Sequence, residues 1–131
     1  MNLKRNEYLI DTDIIEAHLI HNLPDEDSYL EMLLQKGLCF STVINASQLL
    51  YKAQSKAAQQ IIIDVLSALK ILGIHSRYSL LVPKYCSSTK NINDALFCVF
   101  AEYNKLPIVT LKKSKYQKTG LRVIHPKELT R

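Results

Sequence analysis

One apolar run stops at a carboxylate: Tyr8-Leu9-Ile10-Asp11-Thr12-Asp13-Ile14-Ile15. The run predicts a buried strand with Asp11 at its carboxyl end, and ligands bind at that edge of an open α/β sheet. A buried carboxylate costs free energy unless it is paired, hydrogen-bonded or bound to a cation, so Asp11 is a candidate site residue. The alternative is that Asp11 only caps the helix that follows, because Asp-Thr-Asp offers three suitable N-cap residues.

Two further aspartates are candidates for the same edge. Asp13 either reaches the cleft or is the true N-cap of the helix, and the sequence leaves both open. Asp94 lies in the first turn of the clearest amphipathic helix of the chain, where a carboxylate also stabilises the helix dipole. Several acids that meet at one edge would hold a divalent metal ion, and this combination indicates phosphodiester chemistry.

Alternating strands and helices predict an α/β fold, in which a parallel sheet is covered by helices on both faces. Four strands are predicted, over residues 7–10, 38–43, 107–111 and 121–124. A short helix is expected after Asp11, and a second helix from the acidic stretch 24–27 to Gly37, which would end it in a left-handed conformation. A long helical region is expected over 45–72, with a break near Ser55 and an end at Gly73. The last predicted helix covers residues 92–103. Residues 74–91 predict a loop with a short helical turn. We therefore expect one domain over residues 1–131, with a mostly parallel sheet of four to five strands.

The composition limits the class of protein. The 131 residues are 47% hydrophobic, which is enough for one globular domain with a core, and no apolar stretch approaches the roughly 18 residues that span a bilayer. The amino-terminal residues lack the apolar centre of a signal peptide, so a cytoplasmic protein is expected. Three cysteines without close spacing predict reduced, mostly buried thiols rather than a zinc site. The three glycines, Gly37, Gly73 and Gly120, are too far apart to form a P-loop or a dinucleotide-binding motif.

Positive charge is concentrated at the carboxyl-terminal end. The net charge is +5, and residues 105–131 hold eight basic residues and one acid. Four lysines of this segment follow a predicted strand on a polar loop: Lys112, Lys113, Lys115 and Lys118. A positive field beside a metal site suits a polyanion such as RNA, although such a loop can also serve solubility alone.

Five short segments together resemble the motifs of one family: residues 8–15, 40–51, 93–96, 106–111 and 120–129. They are similar to the motifs of PIN domains, specifically the VapC-like toxins of toxin–antitoxin pairs. The first resembles the opening strand, which ends in the first metal-binding aspartate of the family. The second resembles the strand and helix that carry a glutamate, and the third the helix start that carries another acid. The fourth resembles the strand that presents a hydroxyl and then an aspartate or asparagine, and the fifth the last strand and tail.

The resemblance implies metal-dependent cleavage of RNA. Carboxylates of such domains bind Mg²⁺ or Mn²⁺, the metal activates a water, and that water attacks the scissile phosphate in line. The implied metal ligands and catalytic residues are Asp11 and Asp94, with Asp13 as a weaker ligand. Substrate contacts are expected from Thr110, Lys112, Lys113 and Lys115. The implied partners are RNA, a small antitoxin protein and a second copy of the chain in a homodimer. Three leucines could serve such contacts or pack in the core instead: Leu19, Leu30 and Leu34.

Two positions depart from the family pattern. Gln48 stands where the family usually has glutamate, and Lys112 where it has aspartate or asparagine. Gln48 brings no charge, and an ammonium such as that of Lys112 repels a metal at close range, although it could contact a substrate phosphate. We expect both side chains to line the cleft of Asp11 and Asp94, which would then hold one ion weakly. The alternative is a catalytically impaired PIN-fold protein that binds RNA or a protein partner without cleavage.

Overall fold

The computed structural model describes residues 6–130, and within them five strands form one sheet in which every paired strand is parallel. The strands are β1 (Glu7–Ile10), β2 (Leu38–Thr42), β3 (Lys70–Leu72), β4 (Ile108–Val109) and β5 (Val123–Ile124). Their order across the sheet is β3-β2-β1-β4-β5, so the strand that ends at Asp11 is central. The predicted parallel α/β fold is confirmed.

Six α-helices lie in the described part of the chain, together with three short 3₁₀ segments. The helices are α1 (Thr12–Leu19), α2 (Tyr29–Lys36), α3 (Val43–Lys52), α4 (Lys56–Leu66), α5 (Tyr78–Leu81) and α6 (Ile92–Asn104). The 3₁₀ segments are Val82–Tyr85, Lys113–Lys115 and Pro126–Leu129. None of the described helices is both long enough and apolar enough to cross a membrane.

The two faces of the sheet bury two separate core clusters. Successive side chains of β1 point to opposite faces, so Tyr8 and Ile10 join one cluster and Leu9 joins the other. The first cluster receives the apolar sides of α1, α2, α3 and α4, and the second receives α5 and α6. Each large side chain removed from water in this way contributes about 1.5–3 kcal/mol. The result is three layers, helices–sheet–helices.

The alternative left open for the three leucines is decided in favour of the core. Leu30 is buried in the first cluster, and Leu19 and Leu34 are partly buried against it. The cysteines are free, with Cys39 and Cys98 buried as expected and Cys86 exposed. Burial raises the pKa of the Cys39 and Cys98 thiols to about 12, so both stay protonated near neutral pH.

The predicted start and stop of the second helix are wrong. The acidic stretch 24–27 forms a turn, and α2 begins after Ser28, whose hydroxyl accepts from Glu31 N while the Glu31 side chain accepts from Ser28 N. This capping box satisfies two donors of the helix end, and that outweighs the dipole preference of the acids upstream. Gly37 is extended rather than left-handed, at φ −179°. It must be glycine because a Cβ there would lie 2.3 Å from the Asn6 carbonyl oxygen.

The predicted helical region 45–72 is three elements. A break near Ser55 is confirmed, because Ser55 caps α4 with its hydroxyl accepting from Ala58 N. The end of the region is strand β3 instead of helix, and it pairs with β2 in parallel. Residues 74–91 contain the expected short helical turns, α5 and the 3₁₀ segment that follows it. The prediction that the amino terminus lacks a signal peptide concerns residues that mostly lie outside the described part.

Candidate active site

A polar cleft lies at the carboxyl ends of β1 and β4, the edge at which the sequence placed Asp11. Its wall is built by the first turns of α1 and α6, by α3, and by the loop after β4. The lining residues are Asp11, Thr12, Asp13, Glu16, Asn45, Gln48, Lys52, Asn91, Asn93, Asp94, Phe97, Lys115 and Tyr116. The cleft therefore combines four acids with two lysines and four amides.

Asp11 caps α1 and also lines this cleft. Its Oδ1 accepts from Thr12 N at 2.8 Å. Its Oδ2 has three donors, the Thr110 hydroxyl at 2.9 Å, the Tyr116 hydroxyl at 3.0 Å and the Lys115 ammonium at 3.1 Å. These contacts compensate the burial of the carboxylate and fix its direction.

Asp13 joins α1 to the end of β4. Its Oδ2 lies 3.0 Å from Thr110 Oγ1 and accepts from Leu111 N at 3.1 Å. Burial and the charge of Asp11 raise the pKa of Asp13, although the bonds from Thr110 and Leu111 act in the opposite direction. Its Oδ1 is buried without a hydrogen-bond partner. Asp13 lines the cleft, but the bonds it makes are structural ones between two elements.

Asp94 reaches the cleft from the first turn of α6. Asn91 caps this helix by accepting from Asp94 N at 2.9 Å, which leaves the Asp94 carboxylate free to face Lys115. The Lys115 ammonium lies 3.8 Å from Asp94 Oδ1 and 3.1 Å from Asp11 Oδ2. Two carboxylates from distant parts of the chain therefore share one cation.

A sequence model of the PIN domain matches residues 8–117, most of the chain. This chain belongs to the PIN domain family.

Solved structures with the same fold share little sequence with this PIN domain. It is similar to VapBC2 from Rickettsia felis bound to a promoter DNA fragment, with a TM-score of 0.75, 18% identity, and coverage of 91% of this chain and 98% of that one. The values for VapBC-1 from nontypeable Haemophilus influenzae are 0.75, 15%, 92% and 98%. Those for a toxin–antitoxin complex from Klebsiella pneumoniae are 0.73, 16%, 91% and 97%. No curated protein sequence matches. At these identities the likeness is one of fold.

Within the PIN fold, the departures at Gln48 and Lys112 have different outcomes. Gln48 is partly buried on α3 and lines the cleft, as expected. Lys112 is exposed and is not part of the cleft lining, so its predicted place is wrong. The 3₁₀ segment that follows β4 turns the chain back, and Lys115 enters the cleft instead of Lys112.

The predicted substrate contacts are also redistributed. Thr110 is fully buried, and its hydroxyl holds Asp11 and Asp13, so it cannot touch a substrate. Lys113 is exposed and forms an ion pair with Glu128 at 2.9 Å. Of the four residues proposed from the sequence for substrate contact, Lys115 alone lines the cleft.

Eight of the lining residues were not singled out from the sequence as site residues, among them Glu16, Tyr116 and Asn45. Glu16 follows Asp13 by one helical turn and so shares its face of α1, a signal that was available. Tyr116 is the aromatic residue within the lysine-rich loop, and burial with the charges of Asp11 and Asp94 raises the pKa of its hydroxyl, which keeps it a donor. Asn45 has no comparable signal. Its amide nitrogen is buried without a partner beside the cleft.

The cleft offers two converging carboxylates as candidate ligands for a divalent cation. Among residues 6–130 no group of three or more His, Cys, Asp or Glu side chains is arranged to hold a metal. Asp11 and Asp94 do converge on a single positive charge, which the Lys115 ammonium supplies. Because Mg²⁺ keeps several waters, one or two protein carboxylates suffice for it. If such an ion binds in this cleft, Asp11 and Asp94 are the carboxylates that would hold it.

Proposed function

We propose that this PIN domain is a metal-dependent endoribonuclease, the toxin component of a VapC-like pair, that acts on RNA with one weakly held Mg²⁺ or Mn²⁺. The observation that carries the proposal is the convergence of Asp11 from β1 and Asp94 from α6 on one cation position in the cleft. Both carboxylates line the open cleft, and the positive charge that they face there is the Lys115 ammonium.

The chain's own residues divide the work around that position. Asp11 is aimed by Thr110 and Tyr116, which restrict its carboxylate before any ligand arrives. Lys52 and the amides of the lining supply donors for phosphate and sugar oxygens. A divalent ion, when bound, supplies Lewis-acid chemistry to a phosphodiester. The exposed Lys112 and Lys113 lie on the following loop, where contact with a longer RNA is proposed through their charge.

Two protein partners belong to the proposal. An antitoxin partner is supported by the structural neighbours, which are toxin–antitoxin complexes. A homodimer is proposed from the family resemblance alone. Several large apolar side chains are exposed and available for such contacts, namely Ile20, Leu23, Tyr51, Ile61 and Leu80.

The test is cleavage of a structured RNA pool by the purified protein with Mn²⁺ or Mg²⁺. Asp94→Asn keeps the side-chain shape and should lower the cleavage rate by about 100-fold or more, because a lost metal carboxylate removes several kcal/mol of transition-state stabilisation. Asp11→Ala should do the same but also removes the cap of α1. Asp25→Asn changes an exposed acid outside the cleft and serves as the matched control. Cutting that survives Asp94→Asn, or that needs no metal, would refute the proposed chemistry.

A second candidate function is RNA binding without cleavage. The specific observation in its favour is the neutral Gln48 at a family acid position, combined with a lysine ammonium already seated on the two remaining acids. This candidate predicts that RNA is retained uncut by the wild type at every metal concentration. It also predicts equal RNA affinity in the wild type and Asp94→Asn.

A further inference from the structure

The position of Lys115 conflicts with the binding of a divalent ion to the same carboxylates. Its ammonium lies 3.1 Å from Asp11 Oδ2 and 3.8 Å from Asp94 Oδ1. These are the oxygens that a metal in the cleft would need. A doubly charged ion and an ammonium cannot both be placed between the same two carboxylates, because their repulsion at a few ångströms is large.

Several contacts from different parts of the chain hold Lys115 in this position. The 3₁₀ segment Lys113–Lys115 is closed by Lys115 N donating to Lys112 O at 3.1 Å. The ammonium also lies 5.2 Å from the centre of the Tyr116 ring, within the range of a cation–π contact. Tyr116 is buried, and its hydroxyl donates to the same Asp11 oxygen. The lysine is therefore held by the backbone turn, by an aromatic ring and by two carboxylates.

Lys115 is charged at neutral pH. Burial lowers the pKa of its ammonium, but the charges of Asp11, Asp94 and Asp13, with the hydrogen bond to Asp11, outweigh burial and raise it overall. Its side chain is still 27% exposed, so the flexible stem has a route out of the cleft.

We propose that Lys115 is a built-in competitor of the metal, so that a divalent cation binds Asp11 and Asp94 only when Lys115 swings out of the cleft. The proposal rests on the proposed function in one respect, that a metal binds here at all. It explains how a site with only two well-placed acids avoids unpaired negative charge in the metal-free state. A displaced ammonium would stay at the rim of the cleft, where it can pair with a phosphate of the substrate.

The experiment measures Mn²⁺ binding by the full-length protein without RNA, by electron paramagnetic resonance of the free ion. Lys115→Met keeps the length of the side chain and removes its charge, and it should tighten Mn²⁺ binding by about tenfold or more. Lys113→Met is the matched control. Lys113 lies two positions before Lys115 in the sequence, is exposed, and forms an ion pair with Glu128. This variant therefore removes the same charge outside the cleft, and it should change Mn²⁺ binding by about twofold or less.

Equal or weaker Mn²⁺ binding by folded Lys115→Met would overturn the proposal, as would an equal gain in Lys113→Met or no Mn²⁺ binding by either protein. If Lys115→Met does not fold, the side-chain ¹⁵N resonance of Lys115 in the unaltered protein must shift when Mg²⁺ is added. If the resonance does not shift although Mg²⁺ is bound, the proposal is overturned.

The two proposals fail separately. Tighter Mn²⁺ binding by Lys115→Met without any RNA cleavage would keep the competition and reject the nuclease. Metal-dependent cleavage by the wild type, together with an unchanged Mn²⁺ affinity in Lys115→Met, would keep the nuclease and reject the competition.

Discussion

The hydroxyl of Tyr116 offers a direct test of how the cleft holds Asp11. Tyr116→Phe removes one oxygen and keeps a ring that is 1% exposed and packs 5.7 Å from the Phe97 ring. The lost hydrogen bond joins a neutral donor to a buried carboxylate at 3.0 Å, and such bonds contribute about 1.5–3 kcal/mol. Because Thr110 and Lys115 still donate to the same oxygen, the loss should lie near the lower end, at about 1.5 kcal/mol.

The assay is urea unfolding followed by circular dichroism at neutral pH. A loss of this size lowers the midpoint at an unchanged slope, and lowers Tm by roughly 5 °C for a domain of this length. Tyr51→Phe removes a hydroxyl from a residue that is 92% exposed, and it should change stability by less than about 0.5 kcal/mol. A double-mutant cycle with Asp11→Asn should give a coupling energy of about 1 kcal/mol. If Tyr116→Phe and Tyr51→Phe have the same midpoint, the hydroxyl does not stabilise the carboxylate and the description of the cleft is wrong.

Two further predictions concern the scaffold. The Glu102 carboxylate accepts hydrogen bonds from Lys84 and from buried Tyr85, and these bonds lower the pKa of Glu102 from its ordinary value of 4.5. Its contribution to the stability of the fold is therefore fully present above pH 4.5 and is lost as the pH falls through the lowered pKa. Glu102→Gln should therefore cost about 1 kcal/mol in urea unfolding at neutral pH and almost nothing at strongly acidic pH, and a pH-independent loss would contradict this origin. Gly37→Ala places a methyl group against the Asn6 carbonyl oxygen and should lower the free energy of unfolding by about 1–3 kcal/mol. In the control Gly73→Ala the new methyl group meets nothing within 4 Å, and the loss should be less than about 1 kcal/mol. Equal urea midpoints of the two variants would disprove the clash at Gly37.

The architecture of the sheet edge has a consequence for the choice between the two candidate functions. A catalytic PIN domain needs Asp11 and Asp94 available to a metal, and both carboxylates line an open cleft. A binding protein needs only the amides, Lys52 and the basic loop. Metal affinity therefore separates the functions better than RNA affinity does, and Lys115 is the residue proposed to control it.

Much of the fold can be predicted from the sequence because it depends on the local pattern of apolar and polar residues. The alternation of Tyr8, Leu9 and Ile10 matches a central strand between two helical layers, since side chains two apart share a face. The periodicity of α6 identified a helix whose first turn bears Asp94. The order of these elements also placed Asp11 at the ligand-binding edge, because the carboxyl ends of parallel strands meet there.

The elements that the sequence misplaced are those decided by pairing or by close approach. Strand β3 is short and largely exposed, and its identity comes from hydrogen bonding to β2 rather than from its own pattern. Glycine is required at position 37 because the Asn6 carbonyl oxygen, from a segment distant in sequence, lies within 2.3 Å of where a Cβ would be. Nothing local to either segment encodes those contacts.

The sequence by itself singled out the acids that could meet, namely Asp11 and Asp94 with Asp13 as a weaker candidate. It also showed that Gln48 and Lys112 stand at positions where the family usually has an acid. Only the tertiary structure decided which lysine faces those acids. The four lysines of the loop after β4 look alike in sequence, and the direction of each side chain depends on one 3₁₀ turn and on the seat made by Tyr116 and two carboxylates from elsewhere in the chain. Contacts between residues far apart in sequence select one rotation of the backbone among several that local preferences leave nearly equal in energy, and that selection puts Lys115 in the cleft and Lys112 in solvent.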